Sequence, residues 1–276
     1  MPTTGQLILL FAAIVCFAVG GATSFARSRS GAGAGPDKRA PRLLARALLV
    51  CGIACCGGVI VWHAISRGQW VPVGDNFDAL LWLATLLAGF VLYVQRHQRL
   101  GALDWFVLPI VLLLLIGAAV FGRTEYHAYH PVVRNAWAWV HRATAYGGAV
   151  AFAIAAASGA MYVTASRKLR SKAPVGPQFG SLERLEHLTM LSVTLGFALL
   201  TIGMVTGGVQ MLAEGKQTYT AKIVLAAGVW VVYAIVLHAP INPSFRGRKV
   251  AVLSVVGFLL MLGTIVTVLL LPGGVS

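Results

Sequence analysis

Charge is what this sequence has least of. Charged residues fill 11% of the 276 positions, against about 25% in a soluble domain, and only eight are acidic. Seven of those eight, Asp75, Asp78, Asp104, Glu125, Glu183, Glu186 and Glu214, fall at the edges of apolar runs or between them. A proton-coupled pump carries carboxylates inside its spans, so that class is disfavoured. Cysteine is scarce too: Cys16, Cys51, Cys55 and Cys56 all lie in apolar runs and make no CxxC pair, which reads as small packing residues rather than redox or zinc chemistry. There is no glycine-rich phosphate loop, no HExxH and no Ser/His/Asp set, so no enzyme activity is expected.

What is abundant is apolar length. Hydrophobic residues make up 58% of the chain and mean hydropathy is +0.81. A helix of about 20 apolar residues crosses a hydrocarbon core of roughly 30 Å. Spans are expected at 6–25, 47–65, 79–95, 105–122, 142–165, 188–211, 223–239 and 250–271. The fold class is therefore an all-α, polytopic membrane helix bundle of about eight transmembrane helices. The first run has no small-residue cleavage site and reads as a retained span rather than a signal peptide.

The net charge of +14 points to topology, not to nucleic acid. Sixteen of the 22 basic residues sit in the loops 26–46, 96–104, 166–187 and 240–249. Basic loops stay cytoplasmic, so both termini are expected on the outer face. The loops are short, and 1–276 reads as a single integral membrane domain with a Gly/Pro-rich basic linker at 26–46. Gly147, Ala151, Ala155 and Gly159 recur every four residues, as do Gly203 and Gly207, which smooths one stripe of each helix for close packing.

Histidine and tryptophan carry the functional signal. On the expected topology His63, His127, His130 and His141 lie at the outer face with Trp62, Trp70, Trp137 and Trp139, while His97, His187 and His238 lie at the inner face. Interfacial anchoring accounts for aromatic belts and for many such histidines. His63 and His141 each stand at the end of an apolar run beside tryptophans. Trp137 precedes His141 by four residues and shares its face if the helix starts early. Flat aromatics around imidazole suit a planar metallated ligand, and neutral imidazole is a common axial ligand of haem iron. A quinone site and simple packing remain open alternatives. His238, before Pro240, is either an inner ligand or a helix-end anchor.

The stretches "HAISRGQWVPVGDNFDALLWLATLLAGFVLYVQR", "LGALDWFVLPIVLLLL", "NAWAWVHRATAYGGAVAFAIAAASGAMYV" and "VWVVYAIVLHAPINPSFRGRKVAVLSVVGFLLMLGTIV", in that order, resemble the CcsA-type cytochrome c assembly proteins over about 47–270. In the first, Asn76, Phe77, Asp78, Ala79 and Leu80 match an Asn-aromatic-acid-Ala/Ser-Leu pattern. The resemblance implies that His141 matches the histidine facing the family's outer haem site and His238 the one before the closing basic loop, with His63 matched less securely. The family's tryptophan-rich loop between the sixth and seventh spans is replaced by "LAEGKQTYTAKIVLAAG". The second outer histidine has no counterpart in the closing residues "LLLPGGVS". The chain thus looks more like the shorter HemX-like branch of the family, or a diverged accessory subunit.

The function expected is a haem-handling assembly factor of cytochrome c maturation in a bacterial-type cytoplasmic membrane, not an enzyme. Haem is expected at the outer face, with His141 and His63 as axial ligands and Trp70, Trp137 and Trp139 around it, and His238 is the candidate cofactor-binding residue of the inner face. The partners are the bilayer, haem and other maturation proteins of the membrane. A b-type electron-carrier subunit and a haem-free HemX-like regulator of tetrapyrrole metabolism are the alternatives.

Overall fold

The computed structural model describes residues 4–29, 39–67, 76–97, 102–121, 136–172, 179–214, 220–238 and 247–270. Eight α-helices account for nearly all of them: α1 (Thr4–Arg29), α2 (Arg39–Arg67), α3 (Asn76–His97), α4 (Asp104–Phe121), α5 (Ala136–Arg170), α6 (Leu182–Glu214), α7 (Thr220–Leu237) and α8 (Arg248–Leu270). No strand occurs among the described residues. Each helix covers one expected span. Several run further: α2 begins at Arg39, inside the stretch read as a linker, and α5 begins at Ala136, six residues before the expected span. Seven helices carry apolar stretches long enough to cross a membrane, from Thr4–Ala26 to Arg248–Thr267, and in α7 the apolar stretch Ile223–Leu237 is shorter. The chain is an integral membrane protein.

The helices divide into two compact units, residues 1–126 with 168–180, and 127–167 with 181–276. In the first, α1 packs on α2 and α4, and α3 packs on the same two helices, closing a ring of four. Its core is built from side chains such as Leu10, Phe17, Leu81, Leu87 and Leu115, all nearly inaccessible. At one end Gly5 of α1 lies against the six-membered ring of Trp62. At the other, Asp104 accepts from Gln95 Nε2 at 2.7 Å and from Ser24 Oγ at 3.2 Å, while Arg46 caps α3 through the Gln95 carbonyl at 2.7 Å. Placing Asp104 in the first turn of α4 lets the helix dipole favour its charge.

The second unit is built around the smooth face of α5. A Cβ on Gly159 would stand 2.7 Å from the Ala251 carbonyl oxygen of α8, and one on Gly196 of α6 would stand 2.7 Å from the Phe152 ring. Phe152 stacks on Tyr233 of α7, centroids 3.7 Å apart and planes 6° from parallel. The Tyr233 hydroxyl donates to the Ser254 carbonyl at 3.1 Å, so the one polar atom of this aromatic pair is satisfied. Hydroxyls elsewhere follow the same economy. Ser158 and Thr189 each donate to the carbonyl four residues back and lie 2.9 Å from one another across α5 and α6. In lipid no water is at hand to serve them.

Candidate functional site

His63 is near the C-terminal end of α2 and is 2% exposed. It is buried in the first unit against α3. Its Nδ1 lies 2.6 Å from Asp78 Oδ1, and Asp78 is 0% exposed. The Phe77 ring sits beside the imidazole, centroids 5.3 Å apart. The Asp78 carboxylate accepts, so Nδ1 carries the proton and donates. Asp78 falls in the first turn of α3, where the helix dipole and the imidazole together compensate a charge that burial alone would make costly. From the sequence Asp78 reads as a span-edge carboxylate and as the acid of the family's Asn-aromatic-acid pattern, and neither reading brings His63 onto it.

His141 lies one turn into α5, in the second unit. Its Nδ1 donates to the Gly203 carbonyl of α6 at 2.8 Å. The ring lies over Gly207: a Cβ there would stand 2.8 Å from His141 Cε1 and 3.0 Å from Nδ1. Gly203 also receives Thr144, whose Oγ1 would stand 3.2 Å from a Cβ at that position. The glycine pair read as a packing stripe is thus also the bed of the imidazole. Because α5 begins at Ala136, Trp137 and His141 share a helical face. Trp137 and Trp139 are 50% and 41% exposed, and the Arg142 guanidinium lies 5.8 Å from the Trp139 ring centroid.

His238 follows the last residue of α7, is exposed, and donates from Nδ1 to the Ala234 carbonyl at 2.8 Å. That bond ties the ring to its own helix end. Trp70, His127 and His130 lie outside the described residues, as does the side chain of His97. His63 belongs to the first unit, and His141 and His238 to the second.

A family model described as "Cytochrome C assembly protein" matches residues 70–274. The chain belongs to the cytochrome c assembly protein family. It is 25% identical over 218 residues to "Cytochrome c biogenesis protein CcsA" of Prochlorococcus marinus (strain MIT 9301), covering 69% of this chain and 70% of that protein. It is 24% identical over 215 residues to the protein of the same name from Guillardia theta, covering 70% and 71%. A shorter stretch of 78 residues is 40% identical to that of Thermosynechococcus vestitus (strain NIES-2133 / IAM M-273 / BP-1), covering 28% and 24%. Within this cytochrome c assembly protein, Asp78, His141, Gly203, Gly207 and His238 lie inside the matched residues, and His63 lies seven residues ahead of them.

The donor chemistry fits a metal held by imidazole. In His63, His141 and His238 alike, Nδ1 is committed to an oxygen acceptor. A neutral ring so bonded has its remaining lone pair on Nε2, which is how histidine ligands are oriented in metal sites generally. No cluster of three or more His, Cys, Asp or Glu forms among the described residues.

Proposed function

We propose that this cytochrome c assembly protein takes part in cytochrome c biogenesis by holding haem as cargo and giving it up, without a bond-making site of its own. The observation that carries the reading is the bond from His141 Nδ1 to the Gly203 carbonyl, which leaves Nε2 as the ring's only lone-pair nitrogen. Trp137, half-exposed on the helical face that His141 shares, supplies aromatic surface for a flat ligand. His63 lies in the other unit, buried, with its Nδ1 bound to a carboxylate. The distribution of basic loops supports placing His141, His63 and both termini on the outer side of a bacterial-type cytoplasmic membrane. Where the resemblance places a tryptophan-rich loop, this chain reads "LAEGKQTYTAKIVLAAG", which holds no tryptophan. On that ground the chain is assigned to the HemX-like branch, as a haem-holding partner of other maturation proteins.

The test is to purify the chain in lipid nanodiscs, add hemin, and then mix the complex with excess apomyoglobin. A Soret band that forms on the chain and passes to the acceptor within minutes supports a carrier of cargo. A band that stays through purification and resists the acceptor replaces it with a permanent b-type subunit. No band at any hemin concentration leaves the haem-free regulator.

A further inference from the structure

We propose that the first unit has a binding site for one internal water molecule, which donates to Gln95 Oε1 and to the Asp104 carboxylate and completes a polar junction of α1, α3 and α4. The inference does not depend on haem. Two observations carry it. The first is an unmet acceptor. Gln95 Oε1 is buried and has no hydrogen-bond partner among the described residues. Turning the amide over does not relieve it. Nε2 of the same amide donates to Asp104 Oδ2 at 2.7 Å, and the reversed amide would set its oxygen against an ionised carboxylate, with no proton between them. Ser24 Oγ of α1 donates to the same Oδ2 at 3.2 Å, and Arg46 of α2 holds the Gln95 carbonyl at 2.7 Å, so both ends of the residue are fixed. A buried amide oxygen finds its donor in protein or in ordered water. The second observation is the space. Gln95 and Asp104 line one pocket of about 10 Å³ inside the first unit, which is room for about one water molecule. Phe17, Leu49 and Leu108 wall it with apolar surface, and Cys16 adds a thiol, a weak donor for the water's lone pair. Such a water has the two or more polar partners that internal waters need. A divalent cation takes about six oxygen ligands, and among the lining residues only Gln95 and Asp104 bring side-chain oxygen.

The test uses the full chain in lipid bilayers with carbon-labelled glutamine, Gln95 being assigned by the loss of its signal in Gln95→Met. In water-edited solid-state NMR the wild-type Gln95 side-chain carbonyl should draw magnetisation from water at short mixing times. Ala45 is on the pocket wall, and Ala45→Val fills the space with two methyl groups. It should abolish the transfer and lower the thermal midpoint by a few degrees, because the water is displaced and the acceptor stays bare. A dry pocket gives the opposite signs: no early transfer in wild type, and a raised midpoint as valine fills an apolar void. Either result overturns the proposal. So does early transfer that survives Ala45→Val unchanged, since it then comes from bulk water. Should Ala45→Val not fold, the wild-type transfer decides alone. Midpoints in sodium, potassium and choline buffers should coincide. A midpoint raised in sodium or potassium over choline makes a cation the guest and overturns the assignment to water.

Discussion

Adding one methyl group at Gly207 should damage haem binding while leaving the fold intact. A Cβ at this position meets His141 Cε1 at 2.8 Å, and carbon atoms rest at about 3.5 Å or more. Gly207→Ala must therefore push the imidazole by roughly 0.7 Å. The ring is the free end of a side chain, so it moves before the backbone does. The movement strains the 2.8 Å bond to the Gly203 carbonyl. Losing a bond of this type costs about 0.5–1.5 kcal/mol, which is roughly 2- to 12-fold in affinity. Misdirection of Nε2 adds to that. Against this, alanine is favoured over glycine in a helix by about 1 kcal/mol, so thermal stability should change little. Gly208 has nothing within 4 Å of an added Cβ, and Gly208→Ala is the matched control. Hemin titration in nanodiscs, read at the Soret band, should separate the two variants. Equal hemin affinity in both would refute the claim that the imidazole over Gly207 is a haem ligand.

Three further outcomes follow from the same geometry. Trp137→Ala should weaken haem retention without abolishing it, by about 1 kcal/mol or roughly fivefold, measured as the rate of loss to apomyoglobin. Gly159→Ala should lower the thermal midpoint instead, because its Cβ meets the Ala251 backbone oxygen at 2.7 Å, and a backbone cannot step aside; about 1–3 kcal/mol of overpacking is expected, and an unchanged midpoint would show that α5 and α8 are not in such close contact. Single cysteines placed in a cysteine-free chain within loops 26–46 and 166–187 should resist a membrane-impermeant thiol reagent added outside intact cells. Labelling there would invert the orientation assigned from the basic loops.

The helices were legible because lipid leaves little choice: an apolar run with its backbone bonded internally is a helix. The glycine and alanine spacing in α5 likewise announced close contact, and Gly159 against Ala251 is such a contact. Two things at the site were not legible. His63 and Asp78 are fifteen positions apart, and only the register between α2 and α3 brings them to 2.6 Å; from the sequence, His63 reads as a candidate haem ligand and Asp78 as a span-edge carboxylate in a family pattern, with nothing to pair them. Gly203 and Gly207 were read as a stripe for another backbone, yet they accept an imidazole and a threonine, because small residues announce a close approach without naming what approaches. The start of α5 at Ala136 is a third case: the tryptophans before His141 continue the helix through the interface, beyond the apolar run that marks its span.

The most direct test of the central claim, that His141 Nε2 holds haem, is the reduced-minus-oxidised visible spectrum of the hemin-loaded chain, taken for wild type and His141→Ala in the same lipid. Wild type should show sharp α and Soret bands of imidazole-ligated haem, and His141→Ala should lose or broaden them while keeping its helical circular dichroism. Identical bands in both proteins would contradict the assignment and return His141 to the role of an interfacial anchor.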